Sequence, residues 1–133
     1  MGKINSRQKG ASFERDIAKR LNNFFEEHAI DFKAKRNLEQ YQEKDLGDLN
    51  IPNHTIECKR YASGNWYKED WWEQVCQSCG KEIPVLIWKY NHQPIRVCIP
   101  LWAVTREYEK QDNSITVVLT FENWLKYELA YNL

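Results

Sequence analysis

Apolar residues recur at Phe13, Ile17, Leu21, Phe24 and Phe25, three to four positions apart, which predicts a helix with one buried face, capped at Ser12 and ending near His28. Residues 31–36 read as a short strand, and the polar run 37–44 as a loop. The stretch Asp48-Leu49-Asn50-Ile51 and residues 55–61 both alternate in polarity, and Pro52-Asn53-His54 between them supplies turn chemistry, so the two predict a β-hairpin. Asp70 with Glu73 three residues later has the form of a capping box. It opens a second helix through Trp71, Trp72, Val75 and Cys79, with Gly80 as its stop. Residues 83–90 and 95–101 flank the turn-like Asn91-His92-Gln93-Pro94 and predict another hairpin. Residues 114–120 form a further β-rich run, and 121–129 a closing helix with Phe121, Trp124 and Leu125 as its apolar stripe. This order predicts an α/β fold with a central sheet flanked by helices.

Composition narrows the picture. A chain of 133 residues, 42% hydrophobic, buries roughly 65–70% of its unfolded surface, so residues 1–133 are expected to form a single domain. The 19 Lys and Arg balance the 19 Asp and Glu, which argues against a one-signed disordered tail and gives no overall basic footprint. Basic charge gathers at the start, where Lys3, Arg7 and Lys9 precede the first acid, Glu14, so residues 1–11 read either as a flexible basic arm or as a frayed, solvated terminus. No apolar run approaches the ~18–20 residues of a membrane span, and the first residues lack the apolar core of a secretion signal. The four cysteines are then expected to be reduced thiols in a cytoplasmic protein.

On the second hairpin strand, Glu57 and Lys59 are two positions apart and share a face, while Cys58 projects from the other. Asp48 opens the partner strand, so one carboxylate from each strand converges at the end of the sheet. Hard oxygen ligands in that number suit Mg²⁺, which completes its octahedron with water and phosphate oxygens. The Cys58 backbone carbonyl could add a ligand. Glu14 borders the buried stripe of the first helix and could supply a third carboxylate facing the sheet. An acid in a first helical turn also complements the helix dipole, and Glu-x-Lys on a strand also makes an ordinary exposed ion pair.

The ordered set resembles the PD-(D/E)XK nucleases, and among them the Holliday-junction-resolvase-like enzymes of archaea and phages. The likeness is carried by residues 9–16 (KGASFERD), Gly47-Asp48-Leu49 and Ile56-Glu57-Cys58-Lys59-Arg60, and it extends through the Trp71-Trp72-Glu73-Gln74 helix to residues 83–88. It implies a restriction-endonuclease-like fold and a metal-dependent DNA endonuclease. In that reading Glu14, Asp48 and Glu57 bind Mg²⁺, with Mn²⁺ as a substitute, Lys59 orients or activates water, and Gln74 assists. The signature acid is preceded here by Gly47 rather than proline, and Asp45 is a rival for the role of Asp48, which is preferred because it starts the strand. Branched DNA and a homodimer are the implied partners. The alternatives are a nicking, restriction-type or single-strand nuclease, and a catalytically silent nucleic-acid-binding module of the same fold.

Lys9, Arg15, Lys35, Arg36, Arg60 and Lys68, with Lys44, are the expected phosphate contacts. Cys76 and Cys79 form one Cys-x-x-Cys pair without a second, so they are expected to pack in the helix rather than bind zinc. His28, His54 and His92 read as surface or turn histidines. Trp66, Trp71 and Trp72 could stack on bases, although core and dimer packing is the commoner use of tryptophan. Trp102, Phe121 and Trp124 are candidates for a dimer surface or for the core.

Overall fold

The computed structural model describes residues 6–37 and 47–133, with the side chains of residues 6–8 left aside. A long first helix, α1 (Ser6–Glu27), is followed by the hairpin β1 (Leu49–Ile51) and β2 (His54–Tyr61), then α2 (Glu69–Ser78) and the hairpin β3 (Ile83–Tyr90) and β4 (Arg96–Pro100). A short helix α3 (Leu101–Thr105) leads to β5 (Thr116–Thr120). The chain closes with α4 (Phe121–Trp124), a π-helical turn (Leu125–Leu129) and α5 (Ala130–Asn132), run together. The strands form one mixed sheet in the order β1-β2-β3-β4-β5. Among the described strands, only β2 and β3 pair in parallel. A parallel pair needs a crossover, and α2 provides it.

Strand β3 has helices over both faces, which is why its sequence, IPVLIWKY, is nearly all apolar. Val85 and Ile87 face the larger core with Phe13, Ile17, Leu21 and Phe25 of α1 and with Phe121, Trp124 and Leu129 of the closing helix. Leu86, Trp88 and Tyr90 face the smaller core with Trp71, Trp72 and Val75 of α2. Each fully buried side chain of this kind contributes ~1.5–3 kcal/mol. The two cores therefore clamp β2 and β3 from both sides, and β2 carries the Glu-x-Lys segment.

Several expectations need correction. Helix α1 begins at Ser6, not at Ser12, so residues 6–11 of the expected arm are helical. Arg, Gln, Lys and Ala all favour helix, and the single Gly10 does not stop it. Residues 31–36 form no strand beyond an isolated bridge between Arg36 and Leu49. The side-chain amide of Asn22 takes the place of a partner strand, accepting from Ala34 N at 2.6 Å and donating to Ala34 O at 3.0 Å. Asp70 is inside the first turn of α2; Lys68 is the N-cap, with no side-chain cap bond. Gly80 ends that helix with φ +55° as expected.

Strand β4 stops at Pro100, the N-cap of α3, a helix that the sequence pattern does not suggest. Trp102, Phe121 and Trp124 lie in the core, so none of them can form a dimer surface. Most of the 37–44 run, with Lys44 and the rival Asp45, lies outside the described residues.

Candidate active site

The hairpin places the acids. β1 pairs with β2 only as far as Leu49 opposite Ile56, so beyond Ile56 the outer edge of β2 has no partner strand. Asp48 fills that gap. Its carboxylate accepts the Cys58 N–H at 2.7 Å, while its own carbonyl accepts the Asn37 N–H at 2.8 Å. The glycine before it is required by this approach, since a Cβ on Gly47 would stand 2.8 Å from the Ile56 carbonyl oxygen. In an extended strand the N–H and C=O of one residue point the same way, so the Cys58 carbonyl is directed to the same edge. The Cys58 side chain goes into the larger core, and burial holds its thiol well above the ordinary value.

Glu57 is buried, and its carboxyl is pushed up to about 9 by burial first, then by the charge of Asp48 and a hydrogen bond with it, with Glu14 adding to the shift and Lys59 opposing it. A buried carboxyl raised by a neighbouring carboxylate marks a site short of positive charge. Glu14 joins them from α1. It is also buried, and burial followed by the charge of Asp48 raises its carboxyl. Its partner is Arg36, whose Nε donates to Oε1 at 3.0 Å. Lys59, half-buried, donates from Nζ to Gln74 Oε1 on α2 at 3.0 Å. The four acid and base positions expected from sequence thus meet at one edge of the sheet, and Gln74 touches the ammonium.

Among the described residues, no three His, Cys, Asp or Glu side chains close on one point as a finished metal cage. Asp48 and Glu57 nevertheless suit a divalent cation: they are buried hard-oxygen donors whose mutual repulsion a cation would relieve. Glu14 stands beside this pair, held by Arg36.

The expected phosphate contacts fall into two groups. Arg15, Lys35 and Arg36 line a groove of about 510 Å³ with Lys19, which the sequence reading passed over. Arg15 is tied to Ser12 Oγ at 3.3 Å. Lys9 of α1 and Arg60 of β2 both donate to Asn91 Oδ1, at 3.4 and 2.7 Å, and Lys68 lies 5.9 Å over the Trp71 ring of α2.

With this geometry in view, the chain matches the family model described as "Phage putative PDDEXK endonuclease" over residues 5–131. The chain belongs to that family. It is therefore a member of the PD-(D/E)XK nuclease superfamily, and its mixed sheet flanked by helices is the restriction-endonuclease-like fold expected of it. Nucleases of this superfamily generally use divalent metals, in keeping with the Asp48–Glu57 pair. No curated protein matches the chain. No described helix is long and apolar enough to cross a membrane.

The four cysteines are free thiols, with Cys58, Cys79 and Cys98 buried and Cys76 partly buried. Cys79 Sγ donates to the Cys76 carbonyl at 3.2 Å, and burial pushes the Cys76 thiol up to about 12. Cys98 is buried in the smaller core. His28 is exposed and His92 sits in a turn, but His54 is fully buried and contradicts the surface reading. Its Nε2 lies 2.8 Å from Glu128 Oε2, and its Nδ1 lies 2.6 Å from the Pro52 carbonyl. Glu128 also accepts from Trp124 Nε1 and Asn132 Nδ2. This network fastens the β1–β2 turn to the closing helix, and so braces the hairpin that holds Asp48 and Glu57. The available signal was Glu128 itself, four residues after Trp124 on the apolar face of a helix.

Proposed function

We propose that the protein is a Mg²⁺-dependent endodeoxyribonuclease that hydrolyses phosphodiester bonds in branched DNA as a homodimer, with Mn²⁺ able to replace Mg²⁺. The observation that carries this reading is the buried Asp48–Glu57 carboxyl pair at the open edge of β2, with Lys59 two residues along the same strand. Asp48, Glu57 and the Cys58 carbonyl would hold the cation, with Glu14 beside them. A bound divalent cation supplies an acidified water and positive charge against the phosphate. Lys59 contributes a fixed positive charge where the scissile phosphate must lie, and Gln74 holds the ammonium in place. The basic groove of Arg15, Lys35 and Arg36, together with Lys9, Arg60 and Lys68, would neutralise phosphates of the DNA backbone. On this reading residues 1–133 act as one nuclease domain in the cytoplasm of a phage-infected cell.

One chain supplies one such set of residues, and a four-way junction must be cut on two opposed strands, so two chains about a two-fold axis fit the task. Tyr127 and Tyr131, each 59% exposed on the closing helix, are among the exposed aromatic residues that could make that contact. Cleavage of end-labelled duplex, single-stranded, flap and four-way-junction DNA in Mg²⁺, with the mass measured by light scattering, tests the reading. A dimer that cuts the junction symmetrically and in preference to the duplex is expected. A monomer that cuts linear duplex and junction equally would replace it with a simple nicking enzyme.

A further inference from the structure

The face of β2 that carries Glu57 and Lys59 continues to Tyr61, because alternate residues of a strand share a face. Tyr61 is 42% exposed. One side of its ring lies flat on the buried Trp71 of α2, with centroids 5.2 Å apart and planes within 6°. Trp71 in turn leans on Tyr90, 6.3 Å away. The exposed part of Tyr61 therefore belongs to a ring that cannot swing away.

Trp66, in the loop between β2 and α2, is half exposed and packs edge-on against Trp88, which sits opposite Lys59 in the β2–β3 register. The loop that carries it is fastened rather than free. Gly64, at φ +142°, lies so close to Tyr90 that a Cβ there would come 2.4 Å from its ring, and only glycine fits. Tyr90 Oη donates to the Trp66 carbonyl at 2.6 Å, Gln93 Nε2 donates to the Gly64 carbonyl at 3.3 Å, and Asn91 N donates to the Ala62 carbonyl at 3.3 Å. Large aromatic side chains are ordinarily buried for their apolar area. Here two are held in fixed positions with surface left open.

Two cations stand beside Tyr61 and its stacking partner: Lys59 is two residues before it on the same strand face, and Lys68 lies over Trp71, followed in the first turn of α2 by the acids Glu69 and Asp70. Arg60, from the opposite strand face, donates to the Tyr61 carbonyl at 2.6 Å. An exposed aromatic ring held flat beside Lys59 and Lys68 suits an unpaired nucleotide, whose base has a flat ring and whose phosphate is an anion.

We propose that Tyr61 and Trp66 form a preorganised stacking platform for an unpaired nucleobase of the strand being cut, next to the phosphate addressed by Lys59. The proposal rests on the nuclease reading above and adds a substrate class to it: DNA in which a nucleotide beside the cut is already unstacked, as at a branch point or in a single strand. Duplex DNA has to give up base stacking to reach the platform, which sets its cost against that of open structures.

The test uses the full chain with single-stranded and branched oligonucleotides carrying 2-aminopurine at one position at a time, in Ca²⁺ to hold the DNA uncut. The proposal expects fluorescence quenching at one or two neighbouring positions, and an abasic site there weakens binding by about tenfold. Tyr61→Ala and Trp66→Ala lose the quenching and bind about tenfold more weakly, whereas Tyr61→Phe, which keeps the ring on Trp71, retains both. Thermal unfolding confirms that the variants are folded, and Trp66→Ala, at the exposed loop, serves if Tyr61→Ala is not. Unchanged quenching and affinity in the folded alanine variants would overturn the platform while leaving cleavage intact. A fall from dimer to monomer mass with unchanged DNA affinity would overturn it in favour of a self-association surface. Quenching that depends on Tyr61 in a protein that cuts no DNA would uphold the platform and refute the nuclease reading instead.

Discussion

Asp48 reaches across from the loop before β1 to take the Cys58 N–H at 2.7 Å, so the acid is fastened to the middle of the strand that presents Glu57. The bond and the charge can be separated. Asp48→Asn keeps an oxygen to accept the N–H and loses the negative charge. It is expected to unfold in urea near the wild-type midpoint while cleaving at least ~10²-fold more slowly. Asp48→Ala loses both, and leaving the Cys58 N–H unpaired is expected to cost a further ~1–3 kcal/mol. Asp45→Asn is expected to have a much smaller effect on single-turnover cleavage.

Glu57 gives the site its pH dependence. Burial and the charge of Asp48 push its carboxyl up from the ordinary 4.5 to about 9 in the folded protein, so over that interval the native state holds a proton that the unfolded chain has released. Its contribution to stability is therefore full in acid and is lost as pH rises toward 9. Glu57→Gln abolishes this dependence. Without metal, the variant is expected to melt higher than wild type at about pH 8, although it does not cleave. Wild-type protein is expected to bind Mg²⁺ more tightly as pH rises and to release a proton on binding, measurable by calorimetry in two buffers of different ionisation enthalpy.

Lys59 and Gln74 divide charge from position. Lys59→Met is expected to lower kcat at least ~10²-fold. Lys59→Arg is not expected to restore it, because the planar guanidinium cannot take the place of a compact ammonium. Gln74→Ala leaves the charge but frees it, with an expected loss of about tenfold or less, seen in kcat rather than in KM. Steady-state kinetics on one junction substrate separates the three.

Alternation around Glu57 and Lys59 and turn chemistry at Pro52-Asn53 made the central hairpin readable in the sequence, because a strand with one polar and one apolar face has only one register. The same logic brought Asp48 and Glu57 together. Glu14 was legible only as an acid beside an apolar stripe, and nothing local reveals that Arg36 holds it. The 31–36 segment looked like a strand because its pattern is strand-like, yet Asn22 satisfies its backbone from another element. Helix α3 was hidden because Pro100 and Trp102 fit a strand end as well as a helix start. His54 went unread for a related reason. Its partner, Glu128, lies 74 residues away, and burial of a turn histidine is decided by what packs over it.

That buried pair makes a prediction about stability rather than chemistry. His54→Ala leaves the Glu128 carboxylate in the core with one partner fewer, and is expected to destabilise the protein by about 3 kcal/mol or more. Glu128→Ala should cost as much, since Trp124 Nε1 and Asn132 Nδ2 both lose their acceptor. The double variant should lose less than the sum, as expected for residues that share one network. Urea unfolding of the three proteins provides the cycle.

The central claim, that Asp48, Glu57 and Lys59 form a metal-dependent endonuclease site, is tested most directly on closed circular DNA, which offers no end to an exonuclease. Wild-type protein is expected to open the circle in Mg²⁺ and to leave it intact in EDTA, and Glu57→Gln, folded and at equal concentration, to leave it intact in both. Opening by Glu57→Gln at the wild-type rate, or by wild type in EDTA, would contradict the account.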